Sequence, residues 1–194
     1  LVMWDNITRF AGDIFKGQSP DREQRAKKIE SVMGVKPNLI DPEKEPNFVR
    51  PVAERIAPGW ADANYANPLT NTIAMPGYKP GQKPYVEAHE AGHLSWEDAG
   101  PAKLLGVSGR AVSGISDQLG KPPLLEAISG GLMHFDAAEE DRAERLSAKY
   151  GPKVGGKPEN APTIDSKGRS EYGDSLRQDG NSQIVGSIHT VIKP

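Results

Sequence analysis

The chain has 194 residues, 36% of them hydrophobic, with 21 Gly, 17 Pro, no Cys and a formal net charge of −2. That length holds one domain with a real core, and the Gly and Pro content assigns much of the remainder to loops or extended arms. A pI near 6.1 excludes a broad basic field for nucleic acid, and the lack of Cys excludes disulfides, thiolate zinc ligands and a cysteine nucleophile.

No apolar run approaches the roughly 20 residues of a membrane span, and nothing resembles a cleavable secretory signal. A start at Leu1 rather than Met points to a fragment or a processed chain. No internal repeat is visible.

Residues 2–15 predict an amphipathic helix. Met3, Trp4, Ile7, Phe10, Ala11, Ile14 and Phe15 share one face, and Gly17 is the stop. That face packs on the protein's own core or on another subunit; its polar side has too few basic residues to favour a membrane surface. Ser19-Pro20-Asp21 opens a second helix, running to about Met33 and stopping at Gly34. Residues 36–51 are Pro- and acid-rich and read as a linker.

Asn71-Thr-Ile-Ala-Met-Pro-Gly77 is a short β-prone run closed by Pro-Gly. It predicts an edge strand at which Ile73, Ala74 and Met75 pair with a substrate backbone, or a strand that serves only the fold. Pro84 then begins a helix to about Trp96, with Tyr85, Val86, His89, His93 and Trp96 on one inward side.

That helix carries His89-Glu-Ala-Gly-His93, the H-E-x-x-H pattern. Histidines four apart stand a turn above each other, so both imidazoles can grip one ion. Zinc suits such ligands, and a catalytic zinc takes three protein groups and keeps one position for water. Glu90 lies beside them as general base. The plain alternative is two histidines on a solvated face.

Residues 101–121 predict a short helix and a flexible cover, and Pro122-Pro123 opens a helix through Leu132. Asp136-Ala-Ala-Glu139 reads as a capping box starting a further helix at about Ala137. Ala143, Leu146, Ser147 and Tyr150 form its buried side, and Gly151-Pro152 ends it. The third zinc ligand is open among His134, Asp136, Glu139, Glu140, Asp141 and Glu144.

Here a family resemblance enters. Glu140-Asp-Arg-Ala-Glu144-Arg-Leu-Ser-Ala148 resembles the E-x-x-A-D-R-L-x-A type helix of HtpX-like and Ste-type gluzincin metallopeptidases. Residues 71–77 are similar to the N-A-F-A-x-P-G strand that precedes H-E-x-x-H in those enzymes. The resemblance implies Glu140 as third ligand and places Glu144 where the family has an Asp near a zinc histidine. It covers about residues 68–150, and the family's Asp is the longer Glu144 here. H-E-A-G-H also occurs in the FtsH proteases, whose third ligand is an Asp reached after a longer interval. Glu139, Asp141 and His134 remain the other ligand candidates. Candidate donors to the oxyanion are His134, Tyr172 and His189.

Residues 151–182 are Gly, Pro, Asn, Asp, Ser and Lys with few apolar side chains, and residues 183–192 read as a strand. The expected class is α+β: a mainly helical zincin-like metallopeptidase core with a small edge-strand sheet and extended N- and C-terminal arms. The expected segments are 1–50 (helices and linker), 51–150 (core) and 151–194 (arm). The expected function is Zn2+-dependent hydrolysis of a protein or peptide substrate. Residues 1–16 and 151–194 are expected to hold other protein subunits in a larger particle such as a virion. The alternative is a structural subunit that keeps the fold. No nucleic acid and no membrane span are expected.

Overall fold

The computed structural model describes residues 20–40, 64–67, 71–75, 81–105 and 108–192. The expected helix over 2–15 and the subunit contact through residues 1–16 lie outside them, as does most of the linker. The described chain is mainly helical with one small sheet, an α+β arrangement. It divides into two units. One holds the first helix, the sheet, the H-E-x-x-H helix and residues 146–161; the other holds residues 96–145 and 162–192.

In the first unit, α1 (Pro20–Met33) begins where proline predicts, with Asp21 and Glu23 at its positive end. Ala26, Ile29 and Met33 form its buried stripe. Gly34 ends it at φ +71°, donating its N–H to Glu30 O at 2.9 Å. The sheet comprises β1 (Asn38–Ile40), β2 (Tyr65–Asn67) and β3 (Thr72–Ala74) in the order β1-β3-β2. Asn71 precedes β3 in the left-handed region at φ 52°, which Asn tolerates better than most residues.

The strand over residues 72–74 is therefore real, but it is not an edge. β3 pairs in parallel with β1 and antiparallel with β2, so both of its hydrogen-bonding sides are taken. Strand addition needs an unpaired side. The substrate-binding role expected for Ile73, Ala74 and Met75 is corrected accordingly. A composition-based reading overlooked β1 and β2, strands of three residues too short to show a period.

α2 (Lys83–Leu94) buries Tyr85, Ala88, Ala91 and Leu94 against α1, β3 and the end of a long helix, α5 (Pro123–Val154). Tyr85 locks this packing. Its carbonyl accepts from Ser147 Oγ at 2.7 Å, its hydroxyl donates to Lys157 O at 3.0 Å, and its ring occupies the space a Cβ on Gly151 would need. Trp96 is not on this face: the helix stops at Leu94, and Trp96 is 69% exposed beneath Lys103.

In the second unit, α3 (Pro101–Leu105) and α4 (Ser108–Gln118) replace the expected cover. α5 is one helix of 32 residues where two were expected. The capping box fails because Asp136, fully buried, caps a different helix. Its carboxylate accepts from the backbone N–H groups of Gly109 and Arg110, at 3.2 and 2.9 Å, at the start of α4. Gly151-Pro152 does not end α5 either. Gly155 at φ +112° and Gly156, which donates to Gly151 O at 2.8 Å, form the stop. The boundary expected at residue 150 falls inside this helix.

The terminal strand is also corrected. Residues 171–192 are a helix, α6 (Glu171–Ile192), capped by Ser170 Oγ, which accepts from Gly173 N at 3.0 Å. Ile184, Val185, Ile188, Val191 and Ile192 follow helical spacing, and that period outweighs their β-branched preference. Leu176 packs with Met133 and Ala137 of α5, within the same unit.

Two short-range observations give testable energetics. α5 and α6 approach backbone to backbone at Gly130 and Gly180, where a Cβ on Gly130 would lie 2.5 Å from Gly180 O. The neighbouring Gly131 has nothing within 4 Å. Gly130→Ala should destabilise the protein by about 1–3 kcal/mol through overpacking. Gly131→Ala should stabilise it by about 0.5–1 kcal/mol through helix propensity. Thermal unfolding of the two variants reads these opposite shifts.

The second concerns Glu87, buried on α2 opposite Arg25 of α1. Nη2 and Oε1 are 2.6 Å apart but not aligned as donor and acceptor. Burial raises the Glu87 pKa, and the Arg25 charge only partly offsets it. The folded state thus holds the proton more tightly than the unfolded chain. The resulting penalty is absent below the ordinary carboxylate pKa and complete above the raised one. Glu87→Gln should therefore gain stability relative to the parent as pH rises through that window, measured by denaturant titration at several pH values. A constant difference across pH would contradict it.

Candidate metal centre

His89 and His93 stand one turn apart on α2, both half-buried. Their Nε2 atoms are 3.2 Å apart, with the rings nearly perpendicular at 80°. A tetrahedral zinc with bonds of about 2.0–2.1 Å holds two nitrogens roughly 3.3 Å apart, so the pair already has the separation that a shared ion requires. One ligand atom each from His89, His93 and Glu140 lie within 4.8 Å of one another. Two imidazoles and one carboxylate match the donor set of a three-ligand catalytic zinc.

Glu140 reaches the histidines because of the pitch of α5. Successive residues on a helix point about 100° apart, so three neighbouring carboxylates cannot serve one ion. Glu139 faces Arg142, which donates from Nε at 2.8 Å and from Nη2 at 2.6 Å and also reaches Glu97 O with Nη1 at 2.8 Å. Asp141 accepts from Ser170 N at 2.8 Å, from Ser170 Oγ at 2.9 Å and from Arg177. Glu140, between them, is buried on the side of the histidines. The buried stripe of Ala143, Leu146, Ser147 and Tyr150 sets that rotation, as expected.

The other candidates separate by position. His134 is exposed, and its six-residue offset from Glu140 turns it to another side of α5. Glu144 stands one turn beyond Glu140, half-buried. Glu90 is buried on α2 beside His89. Tyr172 accepts a hydrogen bond from Arg110 Nη1 at 3.2 Å, and Arg110 Nη2 donates to Glu140 Oε1 at 2.9 Å. His189 lies about 25 Å further along α6 than Tyr172, at a rise of ~1.5 Å per residue. Of the three oxyanion donors expected, Tyr172 alone is tied to a residue of the His-His-Glu group through Arg110. His134 and His189 are both exposed.

Arg110 is the residue that the motifs missed. It sits in a Gly- and Ser-rich stretch with no pattern to mark it. Burial opposes its charge, but Glu140, Tyr172 and Asp136 outweigh that and raise its pKa. Burial likewise pushes the Asp136 carboxyl up, against the Arg110 and Gly109 amides and the Arg110 guanidinium.

No family model matches the chain, and no curated protein or solved structure matches it either.

If the three side chains hold one ion, Glu140→Ala should weaken zinc binding by more than about 100-fold, beyond the 10–100-fold typical of residues that only support a ligand. Asp141→Asn should leave the zinc content unchanged and lower thermal stability. Elemental analysis after dialysis against a weak chelator reads both. Full stoichiometry in Glu140→Ala would assign the third position elsewhere.

Proposed function

We propose that the protein is a zinc-dependent metallopeptidase of the H-E-x-x-H type with a zincin-like, gluzincin-type core, acting on a protein or peptide substrate. The observation that carries the reading is the convergence of His89 Nε2, His93 Nε2 and a Glu140 oxygen, with buried Glu90 next to the first ligand. The likeness of residues 140–148 to the third-ligand helix of HtpX-like and Ste-type enzymes supports the same assignment.

When bound, zinc supplies Lewis acidity that polarises a carbonyl and lowers the pKa of water. The chain's own residues do the rest. His89 and His93 would hold the ion from α2, and Glu140 would supply the one negative ligand. The Glu90 carboxylate takes a proton from the attacking water and delivers it to the leaving amide nitrogen. Tyr172 is the candidate donor to the carbonyl oxygen as charge develops there. Among the described residues no helix is long and apolar enough to cross a membrane.

An interaction subunit that keeps this core is the competing reading, and exposed Leu124, Ile128, Val185 and Ile188 favour it. Glu90→Gln separates the two. It should keep zinc and fold while kcat on a general peptide substrate falls by about 10²–10⁴-fold. Cleavage equal to the parent's would remove Glu90 from the mechanism. A parent that binds zinc and cleaves nothing would leave the interaction reading.

A further inference from the structure

We infer that Arg110 is a positioning residue of the metal centre, holding the Glu140 carboxylate and the Tyr172 hydroxyl in one fixed arrangement. The inference rests on the metallopeptidase reading of His89, His93 and Glu140.

Its first support is how firmly the backbone around Arg110 is placed. Gly109 meets α5 so closely that a Cβ there would lie 2.5 Å from Met133 N. Ser129 Oγ donates to Gly109 O at 3.0 Å, and Asp136 accepts both amides of the Gly109-Arg110 step. This start of α4 is thus fastened to α5 at Ser129, Met133 and Asp136, about three, two and one turns before Glu140.

Its second support is the division of the guanidinium. Nη2 donates to Glu140 Oε1 at 2.9 Å, Nη1 donates to Tyr172 Oη at 3.2 Å, and Nε lies 3.5 Å from Asp136 Oδ2. A carboxylate has two oxygens, so an ion pair through one and metal ligation through the other are compatible. Arg110 would then hold one oxygen of Glu140 and leave the other for an ion. Because Arg110 can only donate, the Tyr172 oxygen accepts, and the phenolic proton points away from the guanidinium. Lysine keeps the charge but lacks the planar fork that reaches both partners.

The test uses the full chain, with Arg110→Met and Arg110→Lys. Zinc affinity is measured by chelator competition, the cobalt-substituted forms by visible absorption, and folding by circular dichroism. Arg110→Met should bind zinc about 10–100-fold more weakly and shift the cobalt bands; Arg110→Lys should recover part of the affinity but not the parent spectrum. Loss of activity should fall on kcat rather than KM. A merely structural Arg110 would change thermal stability and leave zinc affinity and the cobalt spectrum at parent values, which overturns the inference. Should Arg110→Met not fold, Arg110→Lys decides on the same two readouts. A parent that takes up neither zinc nor cobalt overturns the underlying reading instead, and is seen before any variant is compared.

Discussion

Everything at the candidate centre depends on the roughly 100° turn between successive residues of an uninterrupted α5. That rotation assigns Asp136 to the start of α4, Glu139 to Arg142, Asp141 to Ser170 and Arg177, and Glu140 to the histidines. Four acids within six positions would repel one another if they shared a face. Spread around the helix, each meets its own cation or amide, and the only one aimed at His89 and His93 is the one that completes a ligand set. A break in the helix near Ala137, as a capping box implies, would have reset the rotation and sent Glu140 elsewhere.

The same helix also enters the core of the first unit. Its last turns, Leu146 to Val154, belong to the core that also holds Ala88 and Ala91 of α2. Tyr85 adds two hydrogen bonds, accepting at its backbone carbonyl and donating from its hydroxyl.

Much of the candidate site was legible because its signals are local. The i, i+4 spacing of His89 and His93, the proline start of α2 and the stripe of Ala143, Leu146, Ser147 and Tyr150 depend only on helical period, and the structure keeps each of them. Arg110 left no such trace. Its partners lie 26, 30 and 62 residues away, and no short-range pattern encodes contacts at that separation.

By itself, the order of residues determined the starts of α1 and α2, the histidine pair and the acid that follows the first histidine, since each follows from geometry within a few turns of backbone. Tertiary structure alone decided that β3 is flanked on both sides and that Asp136 caps a distant helix. Strand neighbours and cap partners come from far along the chain. Where a local preference and a packed partner disagreed, as at Asp136, the outcome went with the buried contacts, whose energy exceeds the few tenths of a kcal/mol that separate local propensities.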